Sequence, residues 1–301
     1  MSEQAAFIPF TKMHGAGNDY VVLDGIRDAL PRDLAAFAVR TGDRHLGVGF
    51  DQMLVVRQSS AADFRMEIFN PDGSQVEMCA NGIRAFFKYV RDHGHCDADE
   101  IGVETLSGIV RPAWAGQDQV RVDMAHPVLA PAKIPTTLGE GEGPVLDAVL
   151  EVPAELSPDG SDRVRLSSIS MGNPHAVLEV ENVDDAPVEA LGSFIENHPA
   201  FPNRVNVEFI TVVSPNHIRQ RTWERGTGET LACGSGACAV AVSAILRGVA
   251  RSPLRIELRG GDLEIEWAGT GSHVFMTGPA AEVFEGRIEL RGDEELEVRD
   301  V

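Results

Sequence analysis

The sequence predicts an α+β fold: two pseudo-symmetric domains, each a curled, barrel-like mixed β-sheet around a central helix, with the active site in the cleft between them. Three observations carry this. First, Phe69–Tyr89 reads as a strand end, a polar loop and a cysteine, Cys79, at the mouth of a helix, and Trp223–Leu246 repeats that order around Cys233. Second, polar landmarks recur at one spacing. Asn18 and Asn173 are 155 residues apart, while Gln52 and Asn206, Asn70 and Glu224, and Cys79 and Cys233 are each 154 apart. Single matches arise by chance, but a constant offset near half of 301 residues across four separated motifs indicates an internal duplication. Two copies are too few for a solenoid, so two similar domains about a pseudo-two-fold axis are the better arrangement. Third, Gly234–Leu246 is small and apolar nearly all round, which marks a helix buried on most faces by the short strands around it.

The elements follow in order. Phe10–Asp24 is a glycine-rich turn running into a strand, and a short helix spans about Pro31 to Arg40. A loop from Thr41 to Gly49 leads to a strand over Met53–Arg57. Asp63–Asn70 alternates, with Phe64, Met66 and Ile68 on one face and Arg65 and Glu67 on the other. After Cys79, Ile83, Phe86, Phe87 and Val90 fall at helical spacing. Short strands follow near Gly102–Thr105, Gly108–Ala113 and Gln119–Asp123. From Pro127 to Asp162 prolines and glycines break every pattern, as in a crossing between domains with a surface hairpin. Strands return at Val207–Val213, Ile218–Glu224, Leu254–Leu258, Leu263–Trp267 and His273–Thr277. Thr277–Ala280 then carries the chain back so that Val283–Leu290 completes the first sheet. The expected domains are residues 1–126 with 279–301, carrying Cys79, and 127–278, carrying Cys233.

Composition narrows the function. Hydrophobic content of 43% and charged content of 24% are those of a folded soluble protein. A net charge of −20 opposes nucleic-acid binding and docking on anionic membranes, both of which need a basic surface. No signal-like opening and no membrane-length apolar run is legible, so a cytoplasmic location is the expectation. Four cysteines, Cys79, Cys96, Cys233 and Cys238, do not make a secreted disulfide scaffold.

A cysteine at a helix start meets unpaired N–H groups and the positive end of the helix dipole, which together favour a thiolate. Mirrored across a cleft, Cys79 and Cys233 would be opposed acid–base groups of one type, as a stereoinverting proton transfer requires. Converging helix N-termini would bind a substrate carboxylate as negative charge builds, with Gly82, Gly234 and Gly236 allowing close backbone approach. The remaining landmarks are mainly amides: Asn18, Gln52, Asn70, Asn81, Asn173 and Asn206. Each alone is a turn or cap residue; together with Glu224 and Arg225 they suit a zwitterion with more than one amine and carboxylate. His175 and Glu224 are the titratable groups placed to tune the thiols or hold an amine.

Other readings fit less well. Cys233 and Cys238 are too far apart for a redox Cys-x-x-Cys, and Cys238 reads as a small core residue. His93, His95 and Cys96 have zinc-ligand types but crowded spacing and no fourth ligand. A cysteine hydrolase leaves the second matched cysteine unexplained. Gly15-Ala-Gly17-Asn18 has the wrong glycine spacing for a dinucleotide fingerprint. A non-catalytic amino-acid-binding protein gives no reason for two helix-mouth cysteines.

Several of these segments resemble the signatures of the diaminopimelate epimerase family. They are Met13–Tyr20, Asn70–Gly73, Met78–Gly82, Gly172–His175, Asn203–Phe209, Glu224–Thr230 and Ala232–Cys238, and they span both halves. The resemblance implies an isomerase that needs no cofactor or metal and interconverts LL- and meso-2,6-diaminopimelate in bacterial lysine and peptidoglycan precursor synthesis. It implies a homodimer whose domains each wrap strands around a central helix. The implied catalytic residues are Cys79 and Cys233, assisted by His175 and Glu224. The implied substrate contacts are Asn18, Gln52, Asn70, Ala80, Asn81, Asn173, Asn206, Glu224, Arg225, Gly234 and Ser235. Ala80 replaces a usual glycine, Ser235 a common threonine, and Phe284 a tyrosine often found at the dimer contact. A two-cysteine racemase of proline or hydroxyproline is the neighbouring alternative; the amides and Arg225 favour a substrate with a distal amino-acid centre.

Overall fold

Strands dominate because apolar residues recur at period two, and the two longest central helices form where apolar side chains fall on every face or on one broad stripe. The computed structural model describes residues 6–291 and 295–297. Residues 1–5, 292–294 and 298–301, which belong to the ends of the expected first domain, lie outside the described residues. In chain order the first elements are β1 (Phe7–Gly15), β2 (Asn18–Asp24), α1 (Leu34–Gly42), β3 (Gln52–Arg57), β4 (Phe64–Phe69) and α2 (Ala80–Asp92). Four short strands follow: β5 (Val103–Thr105), β6 (Gly108–Val110), β7 (Ala113–Gly116) and β8 (Gln119–Asp123). Next come β9 (Val145–Glu151), β10 (Arg163–Ser170), β11 (Pro174–Glu179), α3 (Val188–Glu196), β12 (Asn206–Ser214), β13 (His217–Glu224) and β14 (Gly228–Thr230). The last elements are α4 (Gly234–Leu246), β15 (Leu254–Leu258), β16 (Gly261–Trp267), β17 (Val274–Pro279) and β18 (Ala281–Glu289).

The chain divides into two compact units, Met1–Val122 with Pro279–Val301, and Asp123–Gly278. In the first unit the strand order is β18-β1-β2-β3-β4-β5-β6. β18 returns antiparallel to β1, pairing Ile288 with Ile8. In the second unit the order is β17-β16-β15-β13-β12-β11-β10-β9, with β14 on β13. Both sheets are mixed, since β2–β3, β4–β5, β11–β12 and β13–β15 run parallel.

The duplication is written into the register. Tyr20 pairs with Gln52 in the first unit, and His175 pairs with Asn206 in the second. Met53 pairs with Phe69, and Val207 with Trp223. Arg65 pairs with Glu104, and Arg219 with Glu257. The helices Leu34–Gly42 and Val188–Glu196, and Ala80–Asp92 and Gly234–Leu246, match in length and start at the same offset as the cysteines.

In the first unit α2 packs on β1, β2, β3 and β18, burying Ile83, Phe86, Phe87 and Val90 completely. At about 1.5–3 kcal/mol for each large apolar side chain, that stripe alone is a major part of the unit's core. In the second unit α4 packs on β10, β11, β12, β15 and β16, and the seven residues from Ala237 to Ser243 are inaccessible. Small side chains permit this close wrapping on all sides. The shorter helices cover the opposite faces, with Leu34, Phe37 and Ala38 of α1 in one core and Val188, Leu191 and Ile195 of α3 in the other.

Three local differences from the expected elements have physical causes. Helix α1 starts at Leu34 rather than Pro31 because Asp33 caps it, accepting a hydrogen bond from the Ala36 N–H at 2.9 Å. Helix α3 has no counterpart among the expected elements, although the offset from the Pro31–Arg40 segment points to it. Strand β9 lies inside the stretch expected to be irregular. Its alternation is interrupted at Asp147, which has φ 51°, and the β9–β10 register shifts between Leu166 and Ser168.

Candidate active site

Each unit ends one strand in polar loops and caps its buried helix with a cysteine. Cys79 is the N-cap of α2, with extended backbone at φ −134° and ψ 115°. Its Sγ accepts from the Gly82 N–H at 3.3 Å, which is the bond an N-cap serine or aspartate ordinarily accepts. The Tyr20 hydroxyl lies 3.5 Å and the Asn18 Oδ1 3.9 Å from the same sulfur. Asn18 is a hub: its Nδ2 donates to Asp51 Oδ2 at 2.6 Å, and its Oδ1 accepts from Tyr20 Oη and, at 3.4 Å, from Asn81 Nδ2. Burial, then the neighbouring Cys79, pushes the Tyr20 phenol well above its ordinary value, so it stays a proton donor.

Around this hub the first unit adds Gln52 and Asn70, joined by a hydrogen bond of 3.3 Å from Gln52 Nε2 to Asn70 Oδ1. The Gln52 Oε1 is buried and has no hydrogen-bond partner among the described residues. Asn70 Nδ2 donates to Ser74 Oγ at 3.0 Å, closing the polar turn before Cys79. Asn81 is held from below by the fully buried Arg84, whose Nη1 donates to Asn81 Oδ1 at 2.9 Å. Ala80 is the first residue of α2 and is not among the residues with positive φ, so the position does not require glycine. Asp19 anchors the rim: burial alone would raise its carboxyl, but hydrogen bonds from Arg44 and Lys12 and their charges outweigh that and bring it to about 2.

In the second unit Cys233 is the N-cap of α4, at φ −122° and ψ 109°, with Ser235 Oγ 3.5 Å from its sulfur. The expectation that the helix mouth lowers the thiol pKa does not hold here. Burial, followed by the charges of Glu224 and Glu208, pushes the Cys233 thiol well up, and the hydrogen bonds from Ser235 and Gly236 do not offset it. Desolvation and two nearby acids outweigh one helix end. Glu224 ends β13 and accepts from Thr230 Oγ1 at 2.6 Å. Arg225 follows it, exposed, with Nη1 on the Asn203 carbonyl at 3.0 Å. The buried Asn206 ties this turn to the start of β11, its Oδ1 accepting from Arg225 N at 2.8 Å and its Nδ2 donating to Pro174 O at 3.3 Å. Gly234 and Ser235 form the first turn of α4.

His175 is wholly buried, with Nε2 3.1 Å from Asn173 Oδ1 and Nδ1 2.8 Å from Glu208 Oε1. Glu208 is equally buried and is a residue that motif reasoning missed. Its signal was an acid in the middle of Val205–Ile210, on the same strand face as Asn206. The His175, Glu208 and Cys233 donor atoms lie within 4.8 Å of one another, the one such group of metal-ligating types among the described residues. The His175–Glu208 separation of 2.8 Å, however, is that of a shared proton. Two atoms on one zinc ion at about 2.0–2.2 Å in a tetrahedron lie roughly 3.4 Å apart. The triplet His93, His95 and Cys96 is not assembled as a site either: His93 pairs with Glu282, His95 pairs with Asp24, and burial pushes the Cys96 thiol up. Cys238 is a fully buried core residue.

Two units of one register, each presenting a helix-capping cysteine among amides and acids, define a two-cysteine protein of the racemase and epimerase fold class. Solved structures agree on the fold. A phenazine biosynthesis protein of the PhzF family from Bacillus anthracis aligns with TM-score 0.65 at 16% identity, covering 94% of this chain and 99% of that one. A hydroxyproline epimerase from Agrobacterium vitis with bound trans-4-hydroxy-L-proline also gives 0.65 at 16%, covering 94% and 93%. Sequence comparison is more specific. A family model described as diaminopimelate epimerase matches residues 10–130 and 167–283. The diaminopimelate epimerase of Azoarcus sp. (strain BH72) is 52% identical over 286 residues, covering 94% of this chain and 99% of the relative. That of Stutzerimonas stutzeri (strain A1501) is 51% identical over 283 residues, covering 93% and 99%. The chain belongs to the diaminopimelate epimerase family, whose members are isomerases.

Proposed function

We propose that this enzyme converts LL-2,6-diaminopimelate to the meso isomer, and back, with two thiols, Cys79 and Cys233: one as thiolate removes the Cα proton and the other supplies a new one. The observation that carries the reading is the pairing: two cysteines, each the N-cap of an equivalent buried helix at the same register. One thiolate takes the Cα proton, leaving the C–H electron pair on carbon and carboxylate. The other thiol then delivers its proton to the other face, returning that pair to a C–H bond. One proton is exchanged, nothing is oxidised, and neither pyridoxal phosphate nor metal takes part.

The carbanion is the hard step, because Cα–H is a very weak acid. The N–H groups of the first turns of α2 and α4, around Ala80, Asn81, Gly234 and Ser235, suit the carboxylate on which charge builds. The unpartnered Gln52 Oε1 suits a substrate ammonium donor. Asn18, Asn70, Asn173, Asn206, Glu224 and Arg225 complete a set matched to a substrate with two amino-acid ends, which proline lacks. Cys79 and Cys233 are the acid–base pair, and His175 and Glu224 modulate them.

The enzyme acts as a homodimer in the cytoplasm on this reading. Val283 and Phe284 are 57% and 50% exposed on the edge strand β18, with the Phe284 ring edge-on to Phe10 of β1 at 5.9 Å, an apolar edge of the kind that a second copy covers. Four free thiols suit a reducing compartment, and among the described residues no helix is long and apolar enough to cross a membrane. The test is direct: purified protein without pyridoxal phosphate or metal should exchange the Cα hydrogen of LL-diaminopimelate for deuterium from D₂O and form the meso isomer. Proline racemisation without diaminopimelate exchange, under reducing conditions, would overturn the substrate assignment.

A further inference from the structure

We propose that Glu208 is a positioning residue for proton transfer in the second unit: it holds a proton on His175 Nδ1, so that the proton the ring gives and takes is the one at Nε2, which in this geometry faces the Asn173 Oδ1 at 3.1 Å. This rests on the reading of His175 as an assisting group. The donor inventory carries the argument. Glu208 Oε2 accepts from Gln220 Nε2 at 2.7 Å and from Thr222 Oγ1 at 2.6 Å. Thr222 Oγ1 in turn accepts from Gln220 Nε2 at 3.0 Å, so its own hydrogen points at the carboxylate. Oε2 therefore faces donors and cannot carry a proton of its own. Oε1 faces His175 Nδ1 at 2.8 Å, and a proton between a carboxylate and an imidazole rests on the stronger base, the imidazole.

The internal duplication shows that the fold does not need this acid. The position equivalent to Glu208 in the first unit is Leu54, fully buried on β3. A Cβ built on Gly82 would lie 3.4 Å from Leu54, and one on the equivalent Gly236 would lie 2.4 Å from Glu208 Oε1. The two side chains hold the same place under the first turn of the helix. Leucine fills it in one unit, while the other accepts a buried carboxylate and equips it with Gln220 and Thr222. A buried carboxylate is costly unless fully hydrogen-bonded, and here it lies against a histidine beside the capping cysteine. Its charge allows His175 to become an imidazolium without leaving an uncompensated buried cation. The titratable groups around His175 are Glu208 on β12 and Cys233 at the start of α4, with Glu224 acting on Cys233 from the end of β13.

The experiment compares wild type with Glu208→Gln, which keeps the shape and removes the charge, using ¹⁵N NMR of the His175 ring across pH and steady-state epimerisation. In wild type Nδ1 should stay protonated throughout. In Glu208→Gln the preference for the Nδ1-protonated ring should be lost, and the tautomers should mix. In activity, kcat should drop at least about tenfold with KM within about threefold, as expected for a group acting on proton transfer rather than binding. Thr222→Val, which removes one bond to the carboxylate but not the charge, should move the same readouts in the same direction by less, and serves if Glu208→Gln does not fold. An unmoved His175 tautomer in these variants would overturn the proposal. Absence of epimerase activity in wild type with the NMR behaviour intact would instead overturn the functional reading and leave the assignment of Glu208 to His175 standing.

Discussion

Replacing Gly236 with alanine tests how tightly the second half-site is built. The new Cβ would lie 2.4 Å from Glu208 Oε1, 2.7 Å from its carboxyl carbon and 2.9 Å from Oε2. An ordinary contact needs about 3.4 Å, so the carboxylate must retreat by roughly 1 Å or the first turn of α4 must lift. The carboxylate cannot swing away freely, because it is fully buried and held by His175, Gln220 and Thr222. A retreat of that size breaks one or two hydrogen bonds to a charged group, at about 1.5–3 kcal/mol each. Alanine returns about 1 kcal/mol of helix propensity at this first-turn position. The net expectation is a loss of about 2–4 kcal/mol, read as a fall of roughly 5–15 °C in the melting of the second unit by circular dichroism. A double-mutant cycle isolates the cause: in a Glu208→Ala background the same alanine should cost little, giving a coupling of about 2–4 kcal/mol. If Gly236→Ala loses less than about 0.5 kcal/mol, or costs as much without the carboxylate, the packing argument is wrong.

Two further outcomes are expected. Cys79→Ala and Cys233→Ala should each abolish epimerisation of LL-diaminopimelate with melting curves close to wild type, and turnover in either single variant would remove the two-thiol scheme. Asp19, with its carboxyl lowered to about 2, contributes stability that is present above its unfolded value near 4 and is lost as pH falls through 2. Asp19→Asn should therefore destabilise by about 2 kcal/mol near neutral pH, with the difference from wild type shrinking steadily below pH 4 in denaturant titrations. A difference that is constant from pH 7 to pH 3 would refute the assignment to the Lys12–Asp19–Arg44 cluster.

The parts of the fold legible in the sequence were those where period and offset reinforce each other. Phe64, Met66 and Ile68 alternate, Ile83, Phe86, Phe87 and Val90 recur at helical spacing, and all seven are buried. The parts that were not legible have weak local patterns. β9 is an edge strand interrupted at Asp147, and α3 is short, with Pro187 as an N-cap that makes no side-chain hydrogen bond. Helix α3 owes its stability to Leu191 and Ile195 packing under β12 and β13, which is tertiary information. The half-sites divide in the same way. Motifs located Cys79, Cys233 and the amides, because those residues recur at one offset. The partners that orient them, Tyr20, Glu208, Gln220 and Thr222, do not recur, and so an offset search passes over them.

That failure to recur is itself informative. His175 stands where the first unit has Tyr20, and Glu208 stands where it has Leu54, while the cysteines and the helix glycines are kept. Duplication of one unit would have produced two equal thiols in equal surroundings. In the first half-site the sulfur meets a hydroxyl that burial keeps protonated and the Gly82 N–H, with an apolar leucine behind. In the second it meets a histidine backed by a carboxylate, a second acid in Glu224, and no comparable exposure. Burial and two acids push the Cys233 thiol up, while Cys79 lies among a hydroxyl, an amide oxygen and the Gly82 N–H, so the surroundings of the two sulfurs are unequal. A two-base exchange needs one sulfur with a proton and one without at every turn of the cycle. On the proposed two-thiol reading, divergence of the residues behind the cysteines, rather than of the cysteines themselves, is where that inequality would arise.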